Sequence, residues 1–247
     1  VVIQQPNFFG RLELVDQITD WAHSRGALVI AVVNPISLGI LKAPGKWGSE
    51  GVDIACGDGQ PLGVPMSSGG PSFGYICCKA KYVRQIPGRV VGRTIDLDGE
   101  VGYSLTLQAR EQHIRRGKAT SNICTNQGLL VTAGTIYMSL IGAKGLKETA
   151  MKSHQNCNYL RKELLRIPGV EEVYPGPVFH EFAIRLSIDP DVLVDAMADQ
   201  NIVAGLALKK FPDLGDHHSD VLLVAVTEKR TTAEMDRYVD VFKQVLG

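Results

Sequence analysis

Residues 110–127 hold the densest concentration of chemically versatile side chains in the chain, in the order Arg-Glu-Gln-His-Ile-Arg-Arg-Gly-Lys-Ala-Thr-Ser-Asn-Ile-Cys-Thr-Asn-Gln. Arginine binds carboxylate and phosphate groups through two parallel hydrogen bonds, so such a segment could hold an anionic group. The alternative is a solvated charged face, but the flanking hydroxyl and amide side chains favour a binding surface. The candidate residues are Arg110, His113, Arg115, Arg116, Asn122, Thr125 and Asn126.

The second candidate site is the loop between two apolar segments, 53–56 and 75–78, which the sequence predicts to be buried strands. Its glycines let the backbone approach a ligand closely, and a loop of this length inside a compact domain is usually functional. Its Gly-Gly-Pro turn at 69–71 resembles the lysine-bearing loop of fold-type I pyridoxal-phosphate (PLP) enzymes. In that loop a lysine ahead of the turn holds the cofactor as a Schiff base.

The lysine of that loop is absent from this sequence. Counting back from the Gly-Gly-Pro turn places Gln60 at the Schiff-base position, whereas counting forward from Asp53 places Pro61 there. No lysine occurs between Lys46 and Lys79, so both alignments predict that this loop carries no cofactor lysine.

Two further motifs are interpreted as structural. Residues 67–70, Ser-Ser-Gly-Gly, could form a phosphate-binding nest, but we interpret them as a turn. His217 and His218 are adjacent, and neighbouring residues of a strand point to opposite faces, which favours a loop over a metal site. The five cysteines show no C-x-x-C spacing, so the sequence predicts free thiols, mostly buried, and no metal site.

The composition is that of a globular protein, with 45% apolar and 21% charged residues among 247. Lys+Arg and Asp+Glu both count 26, so the net charge attracts neither nucleic acid nor an anionic membrane. The sequence also predicts no membrane span, which would need about 18 consecutive apolar residues. We therefore expect a cytoplasmic protein that binds neither nucleic acid nor membranes.

Apolar periodicity places the candidate sites on an α/β framework. A strand at 1–3, a helix ending at Gly26 and a continuous apolar strand at 27–33 form a crossover unit. Ligands of such sheets bind at the carboxyl ends of the strands, so Asn34 and Gln60 should both lie near that edge. Between 79 and 109 the sequence predicts loops with short strands.

A long helix, capped by Thr125 or Asn126, should link this domain to a second one. From Gly145 onwards the pattern predicts helix, strand, strand, helix, strand, strand and helix, with a capping box from Thr231 to Glu234 before the last helix. The expected division is a partial large α/β domain at 1–127, then the linking helix and a small α+β sandwich domain at 128–247.

The segment at 110–127 resembles a signature of the glycine decarboxylase P-protein family. Ile-Gln-Gln-Pro-Asn-Phe-Phe-Gly at 3–10 and Val-Thr-Glu-Lys-Arg-Thr at 226–231 support the resemblance. Gly117 departs from it, because an acidic residue is expected there. More narrowly, the chain is similar to the carboxyl-terminal part of subunit 1 of the two-subunit form. This resemblance implies part of a large domain with the fold of fold-type I PLP-dependent transferases, followed by the small domain.

The resemblance implies a subunit of the glycine decarboxylase of the glycine cleavage system. That enzyme takes glycine, releases carbon dioxide and passes the aminomethyl group to the lipoyl arm of the H-protein. In this family the cofactor lysine belongs to the other homologous half, which agrees with Gln60. The expected partners are therefore glycine, the lipoylated H-protein and a lysine-bearing P-protein subunit that carries the PLP. The arginine-rich segment would lie at the subunit interface, near the partner's active site.

Asn34 supplies a second expectation from the resemblance. Active members place an aspartate at the end of the equivalent strand to keep the pyridine nitrogen of PLP protonated. No acidic residue lies between Asp20 and Glu50 in this sequence. We therefore expect no catalytic residue on this chain and no activity from the chain alone.

Two other functions are compatible with the sequence. The chain could be an independent PLP enzyme, such as an aminotransferase or a cysteine desulfurase, that uses Lys46 or Lys79. It could also be a non-enzymatic scaffold of the same fold. Because Val1 begins inside an apolar run, we expect a piece of a longer protein, whose exposed apolar surface could associate with a second copy.

Overall fold

The computed structural model describes residues 1–119 and 127–247. In these ranges the chain forms two four-stranded sheets and one two-stranded hairpin. A long helix connects the part that contains the first sheet and the hairpin to the part that contains the second sheet. The predicted mixture of α/β and α+β elements is therefore present.

The first sheet has the order β1-β2-β3-β4. Strands β1, β2 and β3 are parallel, and β4 is antiparallel to β3. Helix α1 follows β1 and packs on the sheet with Ala22, which is fully buried. The bounds are β1 Val2–Gln5, α1 Val15–Ser24, β2 Ile30–Val33, β3 Ile54–Asp58 and β4 Gly74–Cys78.

The prediction that β4 is buried is wrong. Three of its five residues are exposed, Cys77 among them, and the two others are half-buried. The cause is its position, because β4 is the edge strand of the first sheet and pairs only with β3 among the described strands. Among the described cysteines, which are all free, only Cys157 is buried, so the thiols are less buried than the sequence suggests.

The segment after β4 forms a hairpin, as the prediction of loops with short strands suggests. Strands β5 (Val90–Ile95) and β6 (Val101–Thr106) pair along their full length. A short helix, α2 (Gln112–Arg115), follows the hairpin. The hairpin and α2 present several exposed apolar side chains, including Ile95 and Tyr103.

Helix α3 (Gly128–Leu164) runs from the first half of the chain to the second. It is broken at Gly142, whose φ of 60° and ψ of −174° are not helical, so the two helices predicted here meet at one glycine. The helix begins later than predicted, and Gln127 occupies the N-cap position without a side-chain hydrogen bond. The predicted caps, Thr125 and Asn126, lie outside the described residues.

The first half of α3 is unusually apolar and exposed. An 18-residue window of α3 has a mean hydropathy of 1.4, and only 6% of that window is buried. By length and composition alone α3 could cross a membrane, although polar residues interrupt its apolar sequence. A single helix of this kind is weak evidence for a membrane protein.

The second sheet is antiparallel, with the order β7-β8-β10-β9. Its core lies between one sheet face and three helices, which are the second half of α3, α4 and α5. The predicted capping box before α5 is confirmed, because Thr231 and Glu234 exchange both hydrogen bonds. The bounds are β7 Val170–Glu172, β8 Glu181–Leu186, α4 Pro190–Ala198, β9 Leu206–Ala207, β10 Val221–Ala225 and α5 Thr232–Leu246.

The two sheets meet through close contacts just before β8. Phe179 packs with Ile36 and Leu62 from the first half of the chain and with Ala150 of α3. Gly10, at φ 80°, allows the turn after β1 to lie against β8, since a Cβ there would come within 1.9 Å of the Glu181 carbonyl oxygen. These contacts hold the start of β8 opposite the carboxyl ends of the first sheet.

Candidate functional site

A cavity of about 240 Å³ lies between the two sheets, at the carboxyl ends of β1, β2 and β3. This is the edge at which α/β sheets bind ligands, as the sequence predicts. The second sheet closes the cavity with the start of β8. The polar side chains among the lining residues include those of Asn7, Asn34, Asp58, His180 and Glu181.

Asn34 lines the cavity, as predicted, and its side chain also shapes the chain that follows β2. Its Oδ1 accepts a hydrogen bond from the backbone N–H of Ile36 at 2.9 Å. Its carbonyl oxygen accepts one from the Ser37 hydroxyl at 2.7 Å. Asn34 therefore starts the 3-10 turn Ser37–Gly39, and it contributes no negative charge to the cavity.

Gln60 lies beside the cavity, and its side chain is bonded within its own loop. Its Nε2 donates to the carbonyl oxygen of Val64 at 2.6 Å. Its backbone N–H donates at 2.9 Å to Asp58 Oδ1, which also accepts the Ser72 hydroxyl at 2.5 Å. Pro61 lines the cavity and Gln60 does not, so Pro61 is the better match to a residue that faces a bound ligand.

His180 and Glu181, at the start of β8, are both among the residues that line the cavity. Burial lowers the pKa of His180 to about 4, so its imidazole is neutral at pH 7. His180 Nδ1 is buried and has no hydrogen-bond partner among the described residues. Burial also raises the pKa of Glu181. The lining residues include no lysine or arginine, so the fixed charges of the cavity are carboxylates.

Lys79, one of the two lysines considered above, lies at the amino end of β3, away from the cavity. Its Nζ is 3.3 Å from Oδ1 of Asp53, which is buried. Asp53 Oδ2 accepts hydrogen bonds from His23 Nε2 at 2.9 Å and from the backbone N–H of Val29 at 3.0 Å. Burial alone would raise the pKa of Asp53, but these three partners hold it well below its usual range. Lys46 does not line the cavity either.

Arg110 is bound to backbone groups of its own chain. Its guanidinium donates to the carbonyl oxygen of Ile86 and, at 2.6 Å, to that of Gly88. Its side chain is only 11% exposed and lies 3.6 Å from the Glu111 carboxylate. Arg110 therefore joins the segment before α2 to the residues that precede β5. The sequence does not reveal this role.

The other charged candidates of the segment are exposed. His113 and Arg115 lie on α2, and Arg116 follows it in the left-handed region at φ 53°. Arg115 donates from Nε to the carbonyl oxygen of Ala109 at 3.0 Å. Asn122, Thr125 and Asn126 lie outside the described residues. The structure thus keeps His113, Arg115 and Arg116 on one exposed segment and separates them from Arg110.

The two motifs interpreted as structural occupy turns. Ser67 and Ser68 have φ of 44° and 55° in an exposed turn. His218 is buried, with its Nδ1 2.9 Å from the Leu214 carbonyl oxygen and its Nε2 2.5 Å from the Tyr174 hydroxyl. Because both ring nitrogens have protein partners, His218 acts as a core residue.

Sequence reasoning missed three of the cavity residues, Asp58, His180 and Glu181. One usable signal was present, because His180 and Glu181 are adjacent ionisable residues at the start of a largely apolar strand. Charged residues are rarely buried without a partner, so such a pair points to a site. What the sequence could not reveal is that β8 faces the carboxyl ends of the first sheet.

Comparison with known proteins agrees with the resemblance. The family model described as "Glycine cleavage system P-protein" matches residues 1–242. A relative from Nitrosomonas europaea, named "Probable glycine dehydrogenase (decarboxylating) subunit 1", is 54% identical over 248 residues, covering 100% of this chain and 54% of that protein. The chain thus spans about half the length of this relative. The sequence predicts the carboxyl-terminal part of subunit 1. This prediction is wrong, because the match covers the amino-terminal part of the relative.

Solved structures show the same fold. A crystal structure of glycine decarboxylase (P-protein) of the glycine cleavage system, in inhibitor-bound form, superposes with a TM-score of 0.91 at 44% identity, covering 100% of this chain and 55% of that one. A NifS-like protein from Rickettsia africae superposes with a TM-score of 0.68 at 16% identity, covering 99% of this chain and 61% of that one. The fold is that of the fold-type I PLP-dependent enzymes, which confirms the predicted fold class.

Proposed function

The chain belongs to the glycine cleavage system P-protein family, and from that membership we propose that it acts as a glycine decarboxylase subunit whose cofactor lysine is supplied by a second subunit. The proposed reaction takes glycine and the lipoylated H-protein to carbon dioxide and the aminomethyl H-protein. In this proposal the chain contributes structure and an interface, and it is inactive alone.

The observation that carries the proposal is the composition of the cavity at the carboxyl ends of the strands. Its lining residues include no lysine, and Pro61 lies where the loop faces the cavity. The two lysines that could support an independent enzyme, Lys46 and Lys79, do not line it. A chain of this fold without a lysine in that place needs a partner to form a Schiff base.

The residues of this cavity do not fit pyridoxal phosphate. The phosphate of PLP is an anion that cations bind best, and the charged groups among the lining residues are the carboxyls of Asp58 and Glu181. Asn34 also lacks the negative charge that would favour a protonated pyridine nitrogen. We therefore assign the PLP of the proposed enzyme to the lysine-bearing subunit.

The exposed basic side chains after the hairpin are the proposed contact with the partner's active site. His113, Arg115 and Arg116 are exposed, and Arg110 fixes the start of their segment. A guanidinium on a segment that is held in this way can form two parallel hydrogen bonds to a carboxylate or phosphate. Asn122, Thr125 and Asn126 are proposed as polar members of the same interface.

The remaining assignments follow from the same proposal. We assign residues 1–127 to a partial large domain and residues 128–247 to the linking helix and the small domain. Glycine and the H-protein are substrates of the assembled enzyme. The proposed location is the cytoplasm, which is supported by the free thiols of the described cysteines.

The test is to co-purify the chain with a lysine-bearing P-protein subunit and to measure glycine–bicarbonate exchange. We expect exchange from the mixture and none from either subunit alone. Arg115→Lys or Arg116→Lys should lower exchange roughly ten- to hundredfold without affecting co-purification, because lysine keeps the charge but loses the planar fork.

Arg93→Lys, an exposed change on β5, is the matched control and should leave exchange unaltered. If the chain neither binds that subunit nor increases its exchange activity, the proposal is wrong. If it binds but the arginine variants retain full exchange, the segment is only a structural contact, and the scaffold hypothesis is favoured.

A further inference from the structure

One face of the first sheet is apolar and uncovered. The pairing of the four strands aligns their side chains in rows, and the residues of one row point to the same face. Two such rows form a surface that we call the open face, with Val2, Ile30, Ile54 and Cys78 in the first row and Gln4, Val32, Cys56 and Ile76 in the second. None of these eight residues is buried, and Val2 and Ile76 are 65% and 43% exposed.

The opposite face of the same sheet is packed as a core. Ile3, Ala31 and Ala55 form the row between the two rows of the open face, and they are at most 8% exposed beneath α1. Sheets of parallel strands are normally covered by helices on both faces. The residues of the open face belong to none of the hydrophobic clusters formed by the described residues. The open face is thus a sheet surface of the kind that normally binds a helix.

The first half of α3 carries an apolar stripe that is also exposed. Its members follow one another at intervals of four, three and four residues, which places them on one side of the helix. This α3 stripe consists of Leu129, Ala133, Ile136 and Leu140, all of them exposed. The side by which this half of α3 packs on its own chain is a different one, because Gly134 lies there against the ring of Phe73. The α3 stripe is therefore available to another surface.

The α3 stripe and the open face match in length and in charge. From Leu129 to Leu140 the stripe is about 17 Å long, because a helix rises about 1.5 Å per residue. The strands of the open face have four or five residues each, so they are about 13–17 Å long. Neither surface contains a charged residue, so a contact between them would bury no charge. The stripe can therefore lie along the strands over its whole length.

The size of the contact favours a second copy of the chain as the occupant. With strands about 4.8 Å apart and residues of one face about 6.8 Å apart along a strand, the eight side chains cover about 260 Å². A single helix on this face would bury about 500 Å² of the two partners together, which is roughly half of what a specific interface needs. Two copies can make the same contact twice, because each copy has both surfaces, and two-fold contacts of this reciprocal kind are the commonest in oligomers. A partner that supplies only one helix falls short of the required area.

We propose that two copies of this chain associate with the α3 stripe of each copy on the open face of the other. The contact removes from water two apolar surfaces that a single copy leaves exposed, and this burial drives the association. Because the buried area totals only about 1,000 Å², the dimer should dissociate on dilution. The proposal concerns the chain by itself and does not rest on the glycine decarboxylase function, so the two can fail separately.

The test uses two variants that each place a charge on one surface, Leu140→Glu on the α3 stripe and Ile76→Glu on the open face. The readout is sedimentation equilibrium at several chain concentrations. Each variant alone should associate at least tenfold more weakly than the unaltered chain, because both contacts of its dimer would bury a glutamate. An equimolar mixture should associate better than either variant alone, because it pairs the intact open face of one variant with the intact stripe of the other. Val192→Glu, an exposed change on α4, is the matched control and should associate as the unaltered chain does.

A second measurement follows two adjacent cysteines of β4, because Cys78 belongs to the open face and Cys77 to the opposite one. As the chain concentration rises, alkylation of Cys78 should slow and that of the exposed Cys77 should not. The proposal is overturned by an unaltered chain that stays monomeric, by equal slowing of the two cysteines, by undiminished association of Ile76→Glu, or by a mixture that associates no better than its components. If Ile76→Glu does not fold, Val2→Glu, in the other row, decides by the same criteria.

Discussion

Arg110 illustrates how, at the scale of single residues, a side chain can have the chemistry of a ligand-binding group and yet be bound within its own chain. The sequence predicts an anion-binding arginine because of its charged neighbours. The structure shows both terminal nitrogens bonded to carbonyl oxygens of the hairpin entry, at Ile86 and Gly88. Composition cannot reveal those partners, because they are backbone groups more than twenty residues earlier in the chain.

Replacing Arg110 should therefore affect stability more than it affects the surface charge. Arg110→Ala leaves two carbonyl groups without their donor, and hydrogen bonds to a charged group contribute about 1.5–3 kcal/mol. We expect a loss of that order in the local stability of the hairpin, seen as faster amide exchange at 86–90. Arg93→Ala, on an exposed strand position, should stay within about 0.5 kcal/mol. Equal exchange in the two variants would contradict this role.

Asp53 should make the stability of the fold sensitive to acid. Its pKa in the folded chain is held below the usual value of about 3.9, because Val29, His23 and Lys79 outweigh the effect of burial. A carboxyl group whose pKa is lower in the folded chain than in the unfolded chain stabilises the fold at pH values above its unfolded pKa. That stabilisation is lost as pH falls below about 4. Urea unfolding at pH 3 to 7 should show Asp53→Asn to be less stable by about 3 kcal/mol near pH 7, with the difference shrinking below pH 4.

Asp98→Asn, an exposed change in the hairpin turn, is the control for Asp53 and should follow the unaltered chain at every pH. A stability difference for Asp53→Asn that stays constant from pH 7 to pH 3 would mean that packing, and not charge, explains the effect.

At the scale of elements, the sequence predicted most of the strands and helices because periodicity reports which face of each element is buried. The apolar run at 27–33 became the central strand β2, and the Thr231–Glu234 capping box starts α5. The prediction failed for β4, because an apolar strand does not reveal whether it lies at the centre or the edge of a sheet. It also missed the cavity residues of β8, because their position depends on how the two sheets meet.

The contact between those elements depends on Gly10. A Cβ at this position would lie 1.9 Å from the Glu181 carbonyl oxygen, and φ is 80°. Gly10→Ala should therefore destabilise the chain by about 2–4 kcal/mol through overpacking and backbone strain. Gly26→Ala shares a positive φ of 69° but has no atom within 4 Å of the added Cβ, so strain alone should cost about 1 kcal/mol. Chemical denaturation compares the two, and equal losses would show that the contact with β8 tolerates displacement.

At the scale of the whole molecule, the exposed apolar face of α3 should govern association. Leu129 and Leu140 are 84% and 81% exposed. Large contiguous apolar patches are rarely left in water, so we expect the chain alone to self-associate and to bind an apolar dye. Leu140→Glu should weaken self-association roughly tenfold or more, because burying one leucine contributes about 1.5–3 kcal/mol.

Val203→Glu is the matched control, since Val203 is 91% exposed and lies in the second half of the chain. Light scattering at several concentrations should give it the same association as the unaltered chain. A chain that is monomeric and binds no apolar dye would contradict a role for the α3 face. Equal self-association of the two variants would contradict it as well.

We propose that this chain forms its enzyme without holding the cofactor lysine. The most direct measurement is borohydride reduction of the complex in the presence of PLP, followed by mass spectrometry of the peptides from both subunits. We predict one stoichiometric PLP adduct on a lysine of the partner subunit and none on this chain, whether it is alone or in the complex. A stoichiometric adduct on a lysine of this chain, such as Lys46 or Lys79, would show that this chain holds the cofactor itself.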